Sequence, residues 1–302
     1  MAIIVDIEKG KRVAAKLCHS FLTVGIHGRK DMPEDVRPRN VAIGSLEHLL
    51  FMTLTVSIDY QRDAPSLWES SRRTYNDPET RYLFNPRALY EAPFHKIIGD
   101  LQRCGLSRKP KKDAEIWRTI GVSFYKKWNG SPVLFLEHSK WDAEIILERL
   151  ESDRHPYGNR RVIDFPYLRG PKIGPLWLRM LRDNVGLKKL EKLEKVPIAV
   201  DVHIARATLA TGVVKGQFKG DLKEVFNYIR EAWFNSVEGL EVKARSMIAL
   251  DIDEPLWHLS KYGCTMRNRI NGGCPSFDSC AANEFCVKGK IKIEGNFAEI
   301  DT

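Results

Sequence analysis

Four cysteines, Cys264, Cys274, Cys280 and Cys286, fall within 23 residues near the C-terminus. Nothing else in the sequence restricts the fold as much, because four thiols must be gathered into one compact loop. In a reducing compartment such crowding argues for metal ligation rather than disulfides. Four soft thiolates suit a tetrahedral sulfur site, either a 4Fe–4S cluster or Zn2+. Zinc sites usually pair their cysteines at C-x2–4-C spacing, whereas the spacings here are x9, x5 and x5. Iron–sulfur is therefore the first reading, with Zn2+ and two disulfides as alternatives. Arg267 and Arg269, between the first two cysteines, also present positive charge to a polyanion such as DNA. Cys18 and Cys104 stand alone in apolar surroundings and read as buried, unreactive thiols.

A formal net charge of +9 points to a polyanionic partner, nucleic acid first and an anionic membrane surface second, or simply to a basic surface. A chain of 302 residues, 43% hydrophobic and 29% charged, can bury a substantial core in one or two domains. No apolar run approaches the roughly 18–20 residues that span a bilayer. The first residues lack the basic start and apolar core of a signal peptide. The expectation is an intracellular protein with no membrane segment.

The chain reads as mainly helical. Ser45 is placed to cap a helix whose face carries Leu46, Leu49, Leu50, Thr53 and Leu54. Residues 57–63 interrupt that pattern, and helical spacing returns over 64–75 and 86–104. Over 113–128, Ile116, Ile120, Phe124 and Trp128 repeat at i+4, and Asn129-Gly130 stops the helix. Further helices are expected at 140–151, 176–184, 187–195, 221–233 and 255–261. Residues 1–44 are mixed and 152–164 form a polar, Arg-rich insert. The tail after Cys286 reads as irregular apart from a strand pattern at Lys290–Glu294. There is no βαβ rhythm and no internal repeat.

Two stretches carry the candidate chemistry. Gly170 and Gly174 flank Pro171-Lys172-Ile173 between an apolar lead-in and an apolar helix, as in a tight hairpin between two helices. Such a hairpin can aim backbone N–H groups and the next helix's N-terminus at a phosphate, with glycines allowing close approach and Lys172 adding charge. A plain helix–turn–helix corner is the alternative. Asp201 then precedes Val202-His203-Ile204-Ala205-Arg206. It reads either as an N-cap or as a catalytic carboxylate held at a helix start. His203 reads as a packed or hydrogen-bonded residue.

In that order along one basic chain, these features resemble the helix-hairpin-helix DNA glycosylase superfamily, in its endonuclease III-like branch with an iron–sulfur cluster. The residues that carry the resemblance are Leu-Glu-His-Leu-Leu-Phe-Met-Thr-Leu at 46–54, the stretch 168–178, Val-Asp-Val-His at 200–203, and Trp257-x6-Cys264-Thr265. The family's last two cysteines share the spacing of Cys280 and Cys286. The resemblance implies a mainly α fold of two lobes: a helical barrel over 46–197, and a cluster lobe of 1–45 plus 198–302. It implies a monomer that binds double-stranded DNA in the cleft between the lobes and flips a damaged or modified base out of the duplex. Asp201 matches the catalytic aspartate, whose carboxylate stabilises the oxocarbenium-like sugar as the N-glycosidic bond breaks. Gly170, Lys172, Ile173 and Gly174 fall where phosphates are held. Ile58 and Gln61 lie in the segment that fills the gap left by the flipped base, and Arg267 lies in the cluster loop. Tyr60, Tyr167 and Trp177 are candidates to stack on that base, or else core aromatics.

The sequence departs from the family at one position with a chemical consequence. Aligning Ile173-Gly174 with the family's V-G puts Leu176 where bifunctional members carry the Schiff-base lysine. Leucine cannot form an imine, so a monofunctional glycosylase is expected. The alternatives are a bifunctional glycosylase/AP lyase with a displaced lysine, and a non-catalytic DNA-binding or lesion-sensing protein.

Overall fold

The structure, a computed structural model, describes residues 2–157 and 159–302, with only the backbone of Ala2 and Tyr157. The chain divides into two compact units, Met1–Asp31 with Val196–Thr302, and Met32–Lys195. Helices dominate both. Among the described residues none is long and apolar enough to cross a membrane.

The first unit opens with β1 (Ala2–Val5) and α1 (Ile7–Thr23), ordered elements where a mixed segment was expected. Asp6 caps α1 by accepting from the Lys9 amide at 3.0 Å. Val13, Ala14, Leu17 and Cys18 are its buried stripe. Burial pushes the Cys18 thiol up to about 12, as suits an inert core cysteine.

The second unit is an array of eight helices with one β-hairpin among the described residues. Its first helices are α2 (Leu46–Val56), α3 (Ala64–Asn76), α4 (Pro86–Glu91) and α5 (Phe94–Arg103). Ser45 caps α2 through the His48 amide at 3.2 Å, as its sequence indicates. The single helix expected over 86–104 is split, because Pro93 forces Ala92 into extended backbone at ψ 139. Cys104, at the end of α5, is half-buried rather than buried. Next come α6 (Pro110–Trp128), α7 (Pro132–His138) and α8 (Ala143–Ser152). Asn129 ends α6 in the left-handed conformation at φ 47. α8 begins only after Lys140 and Trp141, both left-handed, with Asp142 as its cap.

The Arg-rich insert is a β-hairpin, β2 (Arg154–Tyr157) against β3 (Arg160–Ile163), with Arg154 opposite Ile163. α9 (Gly170–Asp183) follows and corrects the expected hairpin. Residues 170–174 are its first turns, and the chain reaches it from β3 through a turn at 164–169. Pro171 fits because the first turn has no partner for an N–H anyway. The helix expected over 187–195 is reduced to a single tight turn, Leu193–Lys195, with no buried residue. A short Lys/Glu-rich segment without a packed face does not hold a helix. Trp68, Trp117 and Trp177 with Phe51, Phe124, Phe135 and Phe165 fill this unit's core.

The first unit resumes with α10 (Val202–Ala210), β4 (Val214–Asp221) and α11 (Lys223–Ser236). The short pair β5 (Glu241–Val242) and β6 (Arg245–Ser246) leads to α12 (Asp253–Tyr262), then β7 (Lys290–Glu294) and β8 (Phe297–Asp301). The tail is not irregular. β7 and β8 join β4 and β1 in one antiparallel sheet of order β1-β4-β8-β7. Trp233 anchors α11 to α10 through its indole N–H and Thr208 Oγ1 at 2.8 Å.

Candidate functional site

In the second unit, three segments distant in sequence converge: the loop after α2, the N-terminus of α6, and the turn that leads into α9. The Tyr60 phenol donates to Asp113, and burial together with that bond pushes it above the usual tyrosine range. Asp113 also accepts from Ser107 Oγ at 2.7 Å and from the Arg108 and Lys109 amides at 3.0 Å each. Tyr60 lies against Tyr167, ring centroids 4.9 Å apart and 35° inclined. Tyr167 is 40% exposed and left-handed at φ 63. Lys112 Nζ sits 5.1 Å from the Tyr60 ring and 4.6 Å from the Tyr167 ring. Lys109 Nζ is 5.2 Å from Tyr60 and donates to Gln61 Oε1 at 2.7 Å. Lys172 donates to Asp59 O at 3.4 Å. Exposed Arg108, Lys109 and Lys111 border the same region. The arrangement is a half-open aromatic pair set in positive charge.

Not every candidate of this unit belongs to that surface. Trp177 is fully buried, and its indole N–H donates to Thr53 Oγ1 at 3.0 Å, so it is a core residue. The side chains of Ile58 and Ile173 are buried too. Gly174 faces α8, where a Cβ would meet Leu147 Cδ2 at 2.7 Å and push that side chain aside. Gly170, left-handed at φ 91, has open space where a Cβ would be, and it begins a helix with no side-chain cap. Leu176 is buried.

In the first unit, Asp201 caps α10. Its Oδ1 accepts from the His203 amide at 2.7 Å and from the Ile204 amide at 3.0 Å. Both bonds fall on one oxygen, and Oδ2 has no hydrogen-bond partner among the described residues. The capping and catalytic readings are therefore compatible, because the cap fixes the carboxylate and leaves one oxygen for chemistry. His203 Nδ1 lies 3.3 Å from Ser260 Oγ and its ring 5.7 Å from Trp257, as expected of a packed histidine.

Arg206, one turn further along α10, was not singled out in the sequence. It donates to Ser260 Oγ at 3.3 Å and Thr265 Oγ1 at 3.5 Å, which ties α10 to the start of the cysteine loop. Burial lowers its pKa, opposed by the nearby Cys264 and Asp201. Its signal was an arginine in an otherwise apolar helix.

Cys264, Cys274, Cys280 and Cys286 line one cavity, together with Arg267 and Phe277. Among the described residues no three His, Cys, Asp or Glu side chains are grouped as a single metal ion requires. Burial raises the Cys264 pKa, and the other three thiols raise it further, so the four share one electrostatic environment. The Ala282 amide donates to Cys280 Sγ at 3.4 Å. Arg267 is nearly buried and held by carbonyls just beyond Cys286. The chemistry of the set, four thiols with a buried cation, fits an anionic thiolate-ligated group.

No family model and no curated protein matches this chain. Its structure is similar to that of a trapped endonuclease III–DNA covalent intermediate, an estranged-adenine complex, at 12% identity. The match covers 93% of this chain and 98% of that one with a TM-score of 0.52. At that identity the likeness is one of fold: the protein has the mainly α, two-lobed architecture of that structure.

Proposed function

We propose that the protein is a DNA glycosylase of base-excision repair that hydrolyses the N-glycosidic bond of a damaged or modified base, using Asp201. The observation that carries this reading is the half-engaged carboxylate of Asp201, clamped through Oδ1 by the first amides of α10 in a chain with the endonuclease III fold. A carboxylate so held offers its second oxygen to a developing positive charge without reorganising. As the bond to the base weakens, Oδ2 stabilises the cationic sugar and orients the attacking water at C1′.

The remaining roles follow from charge and shape. Lys172, Lys109, Lys111 and Arg108 neutralise phosphates, together with the uncapped N-terminus of α9 at Gly170. Gln61 is placed on the same border by its bond to Lys109. Tyr60 and Tyr167 offer a stacking surface to an extruded base. The buried Leu176 supplies no amine, so the product is an intact abasic site.

A 4Fe–4S cluster held by Cys264, Cys274, Cys280 and Cys286 completes the reading. Four soft thiols lining one cavity, without the short C-x2–4-C pairs usual at zinc sites, suit an iron–sulfur cluster better than Zn2+. When bound, such a group supplies a rigid cross-link for the loop, and folding energy with it.

The test is a panel of duplex oligonucleotides, each with one damaged or modified base, incubated with protein and then heated in alkali. Cleavage of one member only after alkali is the expected result and names the substrate. Cleavage without alkali, with a borohydride-trapped adduct, overturns the monofunctional assignment. Tight binding with no cleavage anywhere favours a lesion-sensing protein.

A further inference from the structure

Arg267 is only 6% exposed, in the loop between Cys264 and Cys274. Its Nη2 donates to Val287 O at 2.7 Å and to Gly289 O at 3.2 Å. Those carbonyls follow Cys286, so this side chain joins the two ends of the cysteine loop. Gly272 makes room for it: the residue is left-handed at φ 77, and a Cβ there would lie 2.5 Å from Nη2. The other two donors, Nε and Nη1, are buried without a hydrogen-bond partner among the described residues. The side chain lines the cavity that the four cysteines share.

Arginine does not shed its proton in proteins, and a buried guanidinium with idle donors is costly unless an anion meets it. Its anchored Nη2 has only neutral carbonyls. The compensating negative charge therefore belongs on the cavity side, where four thiolates and whatever they bind carry it.

We propose that Arg267 is the fixed countercharge of the cysteine cavity, its Nε and Nη1 donating to the sulfurs of the group held there and raising that group's reduction potential. This rests on the iron–sulfur reading of the cavity. Hydrogen bonds and positive charge at the sulfurs favour the more negative, reduced form, so removing them disfavours reduction. Arg267 is a positioning residue, set to act on the cluster and not on DNA.

The experiment compares wild type with Arg267→Lys and Arg267→Gln. Iron and acid-labile sulfide are assayed, and the ratio of reduced to oxidised group is followed by spectroelectrochemical titration, with circular dichroism to monitor the fold. Wild type is expected to hold a 4Fe–4S cluster. At its midpoint potential, Arg267→Gln is expected to show a reduced-to-oxidised ratio at least tenfold lower, about 59 mV for a one-electron couple. Arg267→Lys, which keeps the charge, recovers most of that shift. A wild-type ratio in Arg267→Gln overturns the proposal. So does equal loss of iron from both variants, which would make the side chain only a prop for the loop. Wild type with neither iron nor sulfide overturns the cluster reading and this inference together, whereas a loaded wild type with unshifted variants overturns the role of Arg267 alone.

Discussion

The rings of Tyr60 and Tyr167 lie 4.9 Å apart at 35°, although 106 residues separate them in the chain. Both lie outside helices and strands, Tyr60 in the loop after α2 and Tyr167 in the turn before α9. Their contact follows from Asp113, which fixes the Tyr60 hydroxyl, and from the left-handed turn at Tyr167, which brings the second ring over the first. Lys112 then lies over both.

This pair predicts separable effects on binding and on the base-flipped step. Lys112→Ala and Lys109→Ala should each weaken binding to duplex DNA and reduce the slope of log affinity against log salt by about 1. Tyr167→Ala should lower single-turnover excision by a factor corresponding to about 1–3 kcal/mol, the range for one base stacked on an aromatic ring. Anisotropy titrations over a salt series, with single-turnover kinetics at saturating DNA, distinguish the two. A Tyr167→Ala enzyme that excises at the wild-type rate would remove the ring from the base pocket.

Asp201 serves as both cap and candidate catalyst, and two substitutions separate those functions. Asn caps a helix about as well as Asp, so Asp201→Asn should change stability by under about 0.5 kcal/mol while excision falls by roughly 10²–10⁴. Asp201→Ala should lose activity similarly and also cost about 1 kcal/mol of stability. Urea melts beside the alkali-cleavage assay provide both readings. Full activity in Asp201→Asn would overturn the catalytic assignment.

Two buried histidines predict acid sensitivity. His48 is 2% exposed and His258 is 0% exposed. Burial depresses each to about 4, aided at His48 by Arg37. His48 Nδ1 also accepts from the Gly44 amide at 3.4 Å, a bond that protonation abolishes. Between about pH 4 and the unfolded value near 6.5, the unfolded chain binds protons that the folded chain does not. Stability is therefore fully present above about pH 7 and falls with pH through that window, by up to about 1.4 kcal/mol per pH unit for each histidine. Thermal melts at pH 7.5, 6 and 5 check this, and melting temperatures that stay level across the series would refute it.

Gly289 predicts a backbone effect beside the cysteine loop. It is left-handed at φ 108, and a Cβ there would stand 2.3 Å from the Asp301 carbonyl oxygen, where β7 meets β8. Neither the strain nor a main-chain clash can be relieved by a rotamer change. Gly289→Ala should destabilise the protein by about 2 kcal/mol or more. The denaturant midpoint measures this, and a shift below about 0.5 kcal/mol would contradict it.

Local signals in the sequence determined what neighbouring residues can decide. Ser45 and Asp201 cap helices because a short polar side chain reaches amides two or three residues ahead. The i+4 apolar repeat of α6 and the left-handed stop at Asn129 were legible for the same reason, and the four cysteines were legible as a group because they lie close in the chain. Only tertiary structure decided the rest. The pairing of β1 and β8 with β4 joins residues far apart in sequence, and neither the N-terminus nor the tail carries that partner in its own pattern. The burial of Trp177, whose indole N–H donates to Thr53, and of Ile58 is not written in their own stretches, nor is the approach of Leu147 to Gly174. Arg267 looked like surface charge and became a buried cation, because the folded loop closes carbonyls from beyond Cys286 around it. Hydrogen-bond reach along a helix spans a few residues, whereas burial is set by whatever the whole chain brings alongside.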